Sequence, residues 1–552
     1  MGKMDPLPKL CGADIELGNC ILGLNRIGST CDIASRILLQ EIKGVSASDF
    51  METDSEADSC VHPRASTGCG GKGSGNSSQD WGRKFLPGNG GGAYIDMDHV
   101  EICTPETISA FDHVACWNAM LRIGQRALES VNRNLRSGAR VGGARIQVLV
   151  NNSDGLGHSY GSHINFLITR NSWENIFNRK LHHMLYLAAY QVSSILFTGQ
   201  GKAGSENGAP QVDFQISQRA DFFEQLTGLQ TTFHRPLVNS RDEALCGAGR
   251  KQKACENVAE RMARLHVIFF DNTLCQTASL LKVGVMQIIL SMIEHERINP
   301  SLLLDDPLAA VVAWSHDPSL RTRVRMASGR HLTAVELQFL FLEEAKRFLD
   351  TVDCSRWIPR ASEITALWED TLNKLRTGDI HALARRLDWV LKMTILRRVL
   401  ERQPQLSWRS PQIKHLDLLY SSLDSSEGLF WAYRQNGFVE KVVDESRIDW
   451  FVHHPPTDTR AWTRAMILRR TPPGSLDAID WDSIRIKTQG KGYWSRYTEL
   501  DMSDPLGLTE EAASRVFREK TTLEDILECL AAILSDDPEP RENDPLQTQA
   551  SN

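Results

Sequence analysis

Two stretches in the first hundred residues, Cys11-Gly-Ala-Asp-Ile-Glu-Leu-Gly18 and Ala93-Tyr-Ile-Asp-Met-Asp-His-Val-Glu101, alternate polar and apolar side chains at every second position. A period of two marks an extended strand with one face buried. Asp14 and Glu16 therefore project together, while Ala13, Ile15 and Leu17 project to the other side. In the second stretch Tyr94, Asp96 and Asp98 share one side, Ile95 and Met97 the other, and Glu101 lies just beyond. Two further segments repeat the device. His163 and Asn165 oppose Ile164 and Phe166, and Arg264 and His266 oppose Leu265 and Val267. One such strand is the ordinary half-solvated strand of an antiparallel sheet. Four of them, bearing carboxylates and imidazoles, suit a cation as well, because Mg²⁺ takes oxygen ligands and accompanies nucleotide phosphates, and imidazole also ligates metals. The pattern points to an ATP site built on a sheet.

The chain has 552 residues and 41% hydrophobic content, enough for one large domain plus a smaller one. A net charge of -7 gives no reason to expect nucleic acid. No apolar run reads as a membrane span, and Met1 to Pro6 carry neither a secretory nor a myristoylation signal, so a cytoplasmic protein is expected. The 12 cysteines include no Cys-x-x-Cys pair, which argues against a zinc site or a disulfide framework. Cys103 lies beside the polar strands without any mark of a nucleophile.

Residues ~43–92 begin acidic, from Asp49 to Asp58, and become rich in Gly and Ser from Ser66 to Ser78. Such composition buries little apolar surface, and a mobile loop at the mouth of the site is expected. Thr104-Pro105 reads as a helix start, with Ile108, Phe111, Ala115, Ala119 and Ile123 along one face. A second helix is expected from Ile176 to Leu196, with His182 and His183 on its surface. Residues ~300–435 read as mainly helical, and Ala244 to Asn257 as a second flexible break. A mixed region from Val442 ends in an amphipathic helix near Leu523 to Leu534. The expected division is a catalytic domain over 1–440, a small C-terminal domain over 441–534 and a disordered tail over 535–552.

Across most of its length the sequence resembles the Pup ligase and depupylase (Pup deamidase) family, relatives of glutamine synthetase. The resemblance rests on Gly12-x-Asp14-x-Glu16-x-Gly18, on Phe85-Leu-Pro-Gly-Asn-Gly90 leading into Tyr94-Ile-Asp96, and on Glu101-Ile-Cys-Thr-Pro-Glu106. It continues through Asn151-Asn-Ser-Asp-Gly155, Ser159-Tyr-Gly-Ser-His163-Ile-Asn165, Phe197-Thr-Gly199 and Phe214-Gln-Ile-Ser-Gln-Arg-Ala-Asp-Phe-Phe223. Arg264-Leu-His-Val267, Leu281-Lys-Val-Gly284 and Pro455-Pro-Thr-Asp-Thr-Arg-Ala461 complete it in the same order. The resemblance implies an α+β, glutamine synthetase-like antiparallel cradle packed with helices, and a small C-terminal domain.

It also implies site roles. Glu16, Tyr94 and Glu101 would hold one Mg²⁺, with Asp14, His163 and His266 around a second. Asp14 stands where the family usually has glutamate, and its shorter arm draws the carboxylate back by about one methylene from a cation that demands near-ideal geometry. Arg219 and Arg241 match phosphate-binding arginines, and Asn165 belongs to the same nucleotide site. Asp96 matches the catalytic aspartate. From chemistry alone it could attack a carbonyl, accept a proton or ligate a cation.

The family works in two directions on the small protein modifier Pup, in connection with a bacterial proteasome. A ligase joins the C-terminal glutamate of Pup to a target lysine through a γ-glutamyl phosphate. A depupylase keeps ATP, or ADP with phosphate, as a cofactor and hydrolyses that isopeptide bond or deamidates a C-terminal glutamine. Cys103-Thr-Pro-Glu106, Phe197-Thr-Gly199 and the insertion at ~43–92 resemble the depupylase branch. Ile164, where an acidic residue is common, and the insertion's own sequence depart from it. A nucleotide-binding regulator without turnover is the reading that Asp14 and Ile164 would favour.

Overall fold

A computed structural model describes residues 7–23, 30–46, 82–137, 144–242, 262–489 and 496–535. The Gly/Ser-rich half of the expected loop, the break from Ala244 to Asn257 and the tail beyond residue 535 lie outside these residues. The alternating segments become neighbours in a seven-stranded sheet. Its strands are β1 (Cys11–Leu22), β2 (Lys84–Phe85), β3 (Gly92–Asp96), β4 (His99–Cys103), β5 (Arg145–Leu149) and β6 (Ser162–Thr169). Two short ribbons follow, β7 (Lys202–Ala203) with β8 (Phe214–Gln215) and β9 (Phe223–Gly228) with β10 (Arg235–Asn239). The last sheet strand is β11 (Met262–Val267). The order is β11-β6-β1-β4-β3-β2, with β5 also paired to β1, and every pair in this sheet is antiparallel.

One face of this sheet is apolar throughout. Ala13, Ile15, Leu17, Val100, Ile102, Ile164, Phe166 and Leu265 are all buried in the main core, beneath helices such as Ala110–Ser137 and Gln276–Glu294. Each fully buried aliphatic side chain contributes about 1.5–3 kcal/mol, so a one-residue slip of register would expose a whole row. Gln276–Glu294 is itself long and apolar enough to cross a membrane, contrary to the expectation that no such run exists. It is instead wrapped on all sides by the core, with Lys282 donating to the Asp271 carbonyl at 3.0 Å.

Four local expectations change. Ala93 to Glu101 is not one strand but a hairpin, because Met97 and Asp98 adopt φ of 45° and 70°. Two successive positive φ values make the tight turn that matches strand twist. Asp98 therefore sits in the turn rather than on the polar face, and Met97 is exposed. Thr104-Pro105 does not start a helix, since this stretch stays extended beside β1: the Thr104 hydroxyl accepts from the Ala13 N–H at 2.9 Å and Thr107 pairs with Cys11. The helix begins at Ala110. The following long helix runs Leu181–Thr198, preceded by a wider turn over Asn175–Arg179. His183 is buried rather than on the surface.

A second apolar cluster gathers Trp462, Ile467, Ile484, Ile486, Leu500, Phe517 and Leu527 around a three-stranded antiparallel sheet, Leu476–Ile479, Ser483–Gln489 and Arg496–Asp501. Phe85 from the edge strand of the large sheet joins that cluster. A buried ion network reinforces the join. Glu106 accepts from Arg460 Nε at 2.8 Å and from Arg464 Nη2 at 2.6 Å and Nη1 at 3.0 Å. Arg460 also reaches the Met502 carbonyl and Arg464 the Gly90 carbonyl.

Candidate active site

The register of the large sheet assembles the polar face row by row. Tyr94 pairs with Glu101 and Glu101 with Glu16. Cys103 pairs with Asp14 and Asp14 with His163. Gly12 pairs with Asn165 and Asn165 with His266. Directly opposed residues of antiparallel strands project to the same side, with Cβ atoms about 4.5–5.5 Å apart. Residues scattered from 12 to 266 thus meet on one surface, because every second position on each strand is polar.

Two ligand clusters result among the described residues. One oxygen each from Glu16, Asp96 and Glu101 lies within 4.8 Å of the others, and so do the donor atoms of Asp14, Glu101 and His163. Glu101 belongs to both. His266 is a neighbour rather than a member, its ring 5.1 Å from that of His163. Tyr94 is buried directly across from Glu101 on the neighbouring strand. Asn165 donates to Asp14 Oδ2 at 3.2 Å and accepts from Arg264 Nη1 and His266 Nδ1, both at 2.9 Å.

Burial raises the carboxyl affinities for protons here. Glu101 is held well above the ordinary carboxylate range by burial and then by Asp14, Glu16 and Asp96. Burial also raises Asp14, and it raises Glu16 despite a hydrogen bond from the Gly161 N–H. His163 and His266 are pushed down by burial and by neighbouring cationic side chains, which leaves them neutral. Such a group of carboxylates cannot all ionise unaided, whereas a divalent cation offsets their repulsion. Glu101 Oε2 has no hydrogen-bond partner despite complete burial. The donor set fits Mg²⁺.

The arginines lie beside Gly161 and Ser159. Arg219 is fully buried and pushed down to about 9 by burial and then by Arg235. Its Nε and Nη2 have no partner, and its guanidinium carbon would lie 2.9 Å from a side chain at position 161. Glycine there is what lets the guanidinium in. Arg235, absent from the sequence-based set, is buried beside it, pushed down to about 10, and anchored to Ser159 Oγ at 2.6 Å and the Ser159 carbonyl at 2.8 Å. The surrounding Phe-His-Arg-Pro gave no periodicity to reveal it. Arg241 is half-buried, its N–H donating to Asn239. Two unpaired nitrogens on Arg219 suit phosphate oxygens.

His99 completes the far end of the face, opposite Asp96. Its ring stacks on Tyr160 at 4.4 Å, and its Nδ1 donates to the Leu17 carbonyl at 2.9 Å. At the other end, a cleft is lined by Leu10, Asp14, Leu167, Arg264, Arg460 and Trp481. Carboxylates, neutral imidazoles, buried guanidiniums and a cleft with an indole together suit a nucleotide with its cation.

Comparison with known proteins agrees with this chemistry. Residues 27–485 match the family model described as "Pup-ligase protein". The chain is 35% identical over 396 residues to a Pup deamidase/depupylase of Mycolicibacterium smegmatis, covering 72% of this chain and 74% of that protein. It is 32% identical over 443 residues to a Pup–protein ligase of Acidimicrobium ferrooxidans, covering 79% and 90%. Among solved structures, the complex between the prokaryotic ubiquitin-like protein Pup and its ligase PafA superposes with a TM-score of 0.71 at 21% identity, covering 95% of this chain and 93% of that one. The expected α+β, glutamine synthetase-like fold is borne out.

Proposed function

The chain belongs to the Pup-ligase family, and on that premise we propose that it is a cytoplasmic, ATP- and Mg²⁺-dependent depupylase or Pup deamidase. It hydrolyses the isopeptide bond between Pup, or a related small modifier, and a substrate lysine, or the C-terminal glutamine amide of the modifier, in the service of a bacterial proteasome. The observation that carries the reading is Asp96 at the end of β3, its carboxylate within 4.8 Å of Glu16 and Glu101. Glu16, Tyr94 and Glu101 would hold one Mg²⁺ and Asp14, His163 and His266 would surround a second cation. A cation held there would offset phosphate charge and polarise an oxygen of the reacting group.

The chain's own residues supply the rest. The Asp96 carboxylate either attacks the isopeptide carbonyl or takes a proton from the attacking water, while Arg219, Arg235 and Arg241 face phosphate oxygens. Fixed guanidinium charge stabilises the oxyanion as it forms, at no cost of reorganisation. Arg264, Arg460 and Trp481 in the cleft, with Asn165 at its floor, suit the rest of the nucleotide.

The hydrolytic direction is favoured by Cys103-Thr-Pro-Glu106, by Phe197-Thr-Gly199 and by the insertion. Val45 bridges to Phe85, so the segment between them leaves and returns at the sheet edge next to β3. The ligase is the second reading, supported by likeness to Pup–protein ligases. Purified protein given ATP, Mg²⁺ and a Pup conjugate should release free Pup; formation of new conjugates from Pup and target would favour the ligase.

A further inference from the structure

The chain around Arg219 is tied to two distant segments by one buried carboxylate. Asp271 follows the end of β11 and is 1% exposed. Its Oδ2 accepts the Gln200 N–H and the Gln218 N–H, both at 2.8 Å, and its Oδ1 accepts the Ser217 hydroxyl at 3.0 Å. Gln200 belongs to the turn after helix Leu181–Thr198, whereas Ser217 and Gln218 lead directly into Arg219. Lys282, from the core helix Gln276–Glu294, fixes the Asp271 main chain by donating to its carbonyl at 3.0 Å.

From this carboxylate a relay reaches both ends of the arginine. The Arg219 N–H donates to Ser217 Oγ at 3.2 Å, and the Ser217 hydroxyl donates onward to Asp271. At the other end Arg219 Nη1 reaches the carbonyl of Phe270, the residue before Asp271, at 3.5 Å. Main chain and guanidinium are therefore both held by the Phe270-Asp271 segment. Among the described residues, Nε and Nη2 of Arg219 have no partner. Nη2 lies 3.1 Å from where a side chain at position 161 would begin, in the space that glycine leaves open.

All three groups that meet the Asp271 carboxylate are donors. Its two oxygens serve them all, whereas an amide at 271 would turn an NH₂ group toward at least one of them. Buried donors left unmatched are costly, so the segments would shift to find other acceptors. Charge alone predicts the opposite outcome for binding. A negative group near Arg219 weakens its pull on phosphate, and removing that charge without moving the arginine would tighten nucleotide binding. We propose that Asp271, acting through Ser217, is a positioning residue for nucleotide binding: it fixes the Ser217–Arg219 segment so that Arg219 presents Nε and Nη2 to phosphate oxygens. This deepens the proposed function and rests on its reading of Arg219 as a phosphate-binding group.

The test measures ATP affinity of the full-length protein in Mg²⁺ by calorimetry. The variants are Asp271→Asn, Ser217→Ala, Arg219→Gln, and each of the first two combined with Arg219→Gln. Asp271→Asn and Ser217→Ala should each weaken ATP binding about tenfold or more, the loss that follows when a hydrogen bond to a charged group is displaced. With Arg219→Gln already in place, neither should weaken it by more than about twofold, because their effect passes through the guanidinium. A merely structural role would lower affinity alike in both backgrounds. Ser217→Ala keeps the carboxylate and its bonds to two backbone N–H groups, so it reports even where Asp271→Asn folds poorly. Unchanged or tighter ATP binding in either folded variant, or equal losses with and without Arg219, overturns the proposal. Those results in variants of a parent that binds ATP sink only this inference; a parent that binds no ATP sinks the proposed function as well.

Discussion

Replacing Glu106 by glutamine should loosen the join between the C-terminal unit and the large sheet. Two buried arginines, Arg460 and Arg464, hold the Glu106 carboxyl at about 2, against an ordinary value of 4.5. At about 1.4 kcal/mol per pH unit, that difference corresponds to roughly 3 kcal/mol of folding stability. Because the folded value is depressed, the contribution is complete above pH 4.5 and disappears as pH falls toward 2. Glu106→Gln keeps the shape and one acceptor but removes the carboxylate charge that both buried guanidiniums face, and breaking such a network costs about 3–5 kcal/mol. Urea unfolding followed by tryptophan fluorescence should show the variant less stable by about 3 kcal/mol at pH 7, with the gap closing below pH 4.5. Equal stability at pH 7, or a gap that ignores pH, would refute the reasoning. Arg460 also lines the cleft, so ATP affinity should fall with it.

Glu101→Gln should raise the melting temperature of the metal-free protein at neutral pH, because folding there must either bury the carboxylate charge among others or take up a proton, yet shrink the stabilisation gained on adding Mg²⁺ and ATP; paired melting curves give both signs. The elevated Glu101 value means that its ionisation costs stability progressively as pH rises through that value, so the metal-free advantage of the variant should fade in acid. Asp96→Asn should abolish turnover while preserving nucleotide affinity by calorimetry; a joint loss would recast Asp96 as a ligand. Gly161→Ala should displace Arg219 and lower turnover by about a hundredfold with little change in circular dichroism.

The polar face was legible because alternation survives in one dimension: Asp14, Glu16, His163 and His266 lie where their strands' period of two puts them. Three things were not. The Met97-Asp98 turn lacks the Asn-Gly or Asp-Gly pair that announces a tight hairpin. Glu106 meets Arg460 and Arg464 only through tertiary packing, across more than 350 positions. Arg235 is a phosphate-facing candidate only because Ser159 anchors it beside Arg219, which no local pattern records.

The central claim is hydrolysis by Asp96 in a nucleotide-charged site. The most direct measurement incubates the protein and Asp96→Asn with a Pup–lysine conjugate, Mg²⁺ and ATP, in parallel with a mixture of free Pup and unmodified target, and follows both by intact mass. The account predicts free Pup and unmodified target from the conjugate, no new conjugate from the mixture, and neither product with the variant. Efficient conjugation, or cleavage that survives the loss of Asp96, would contradict it.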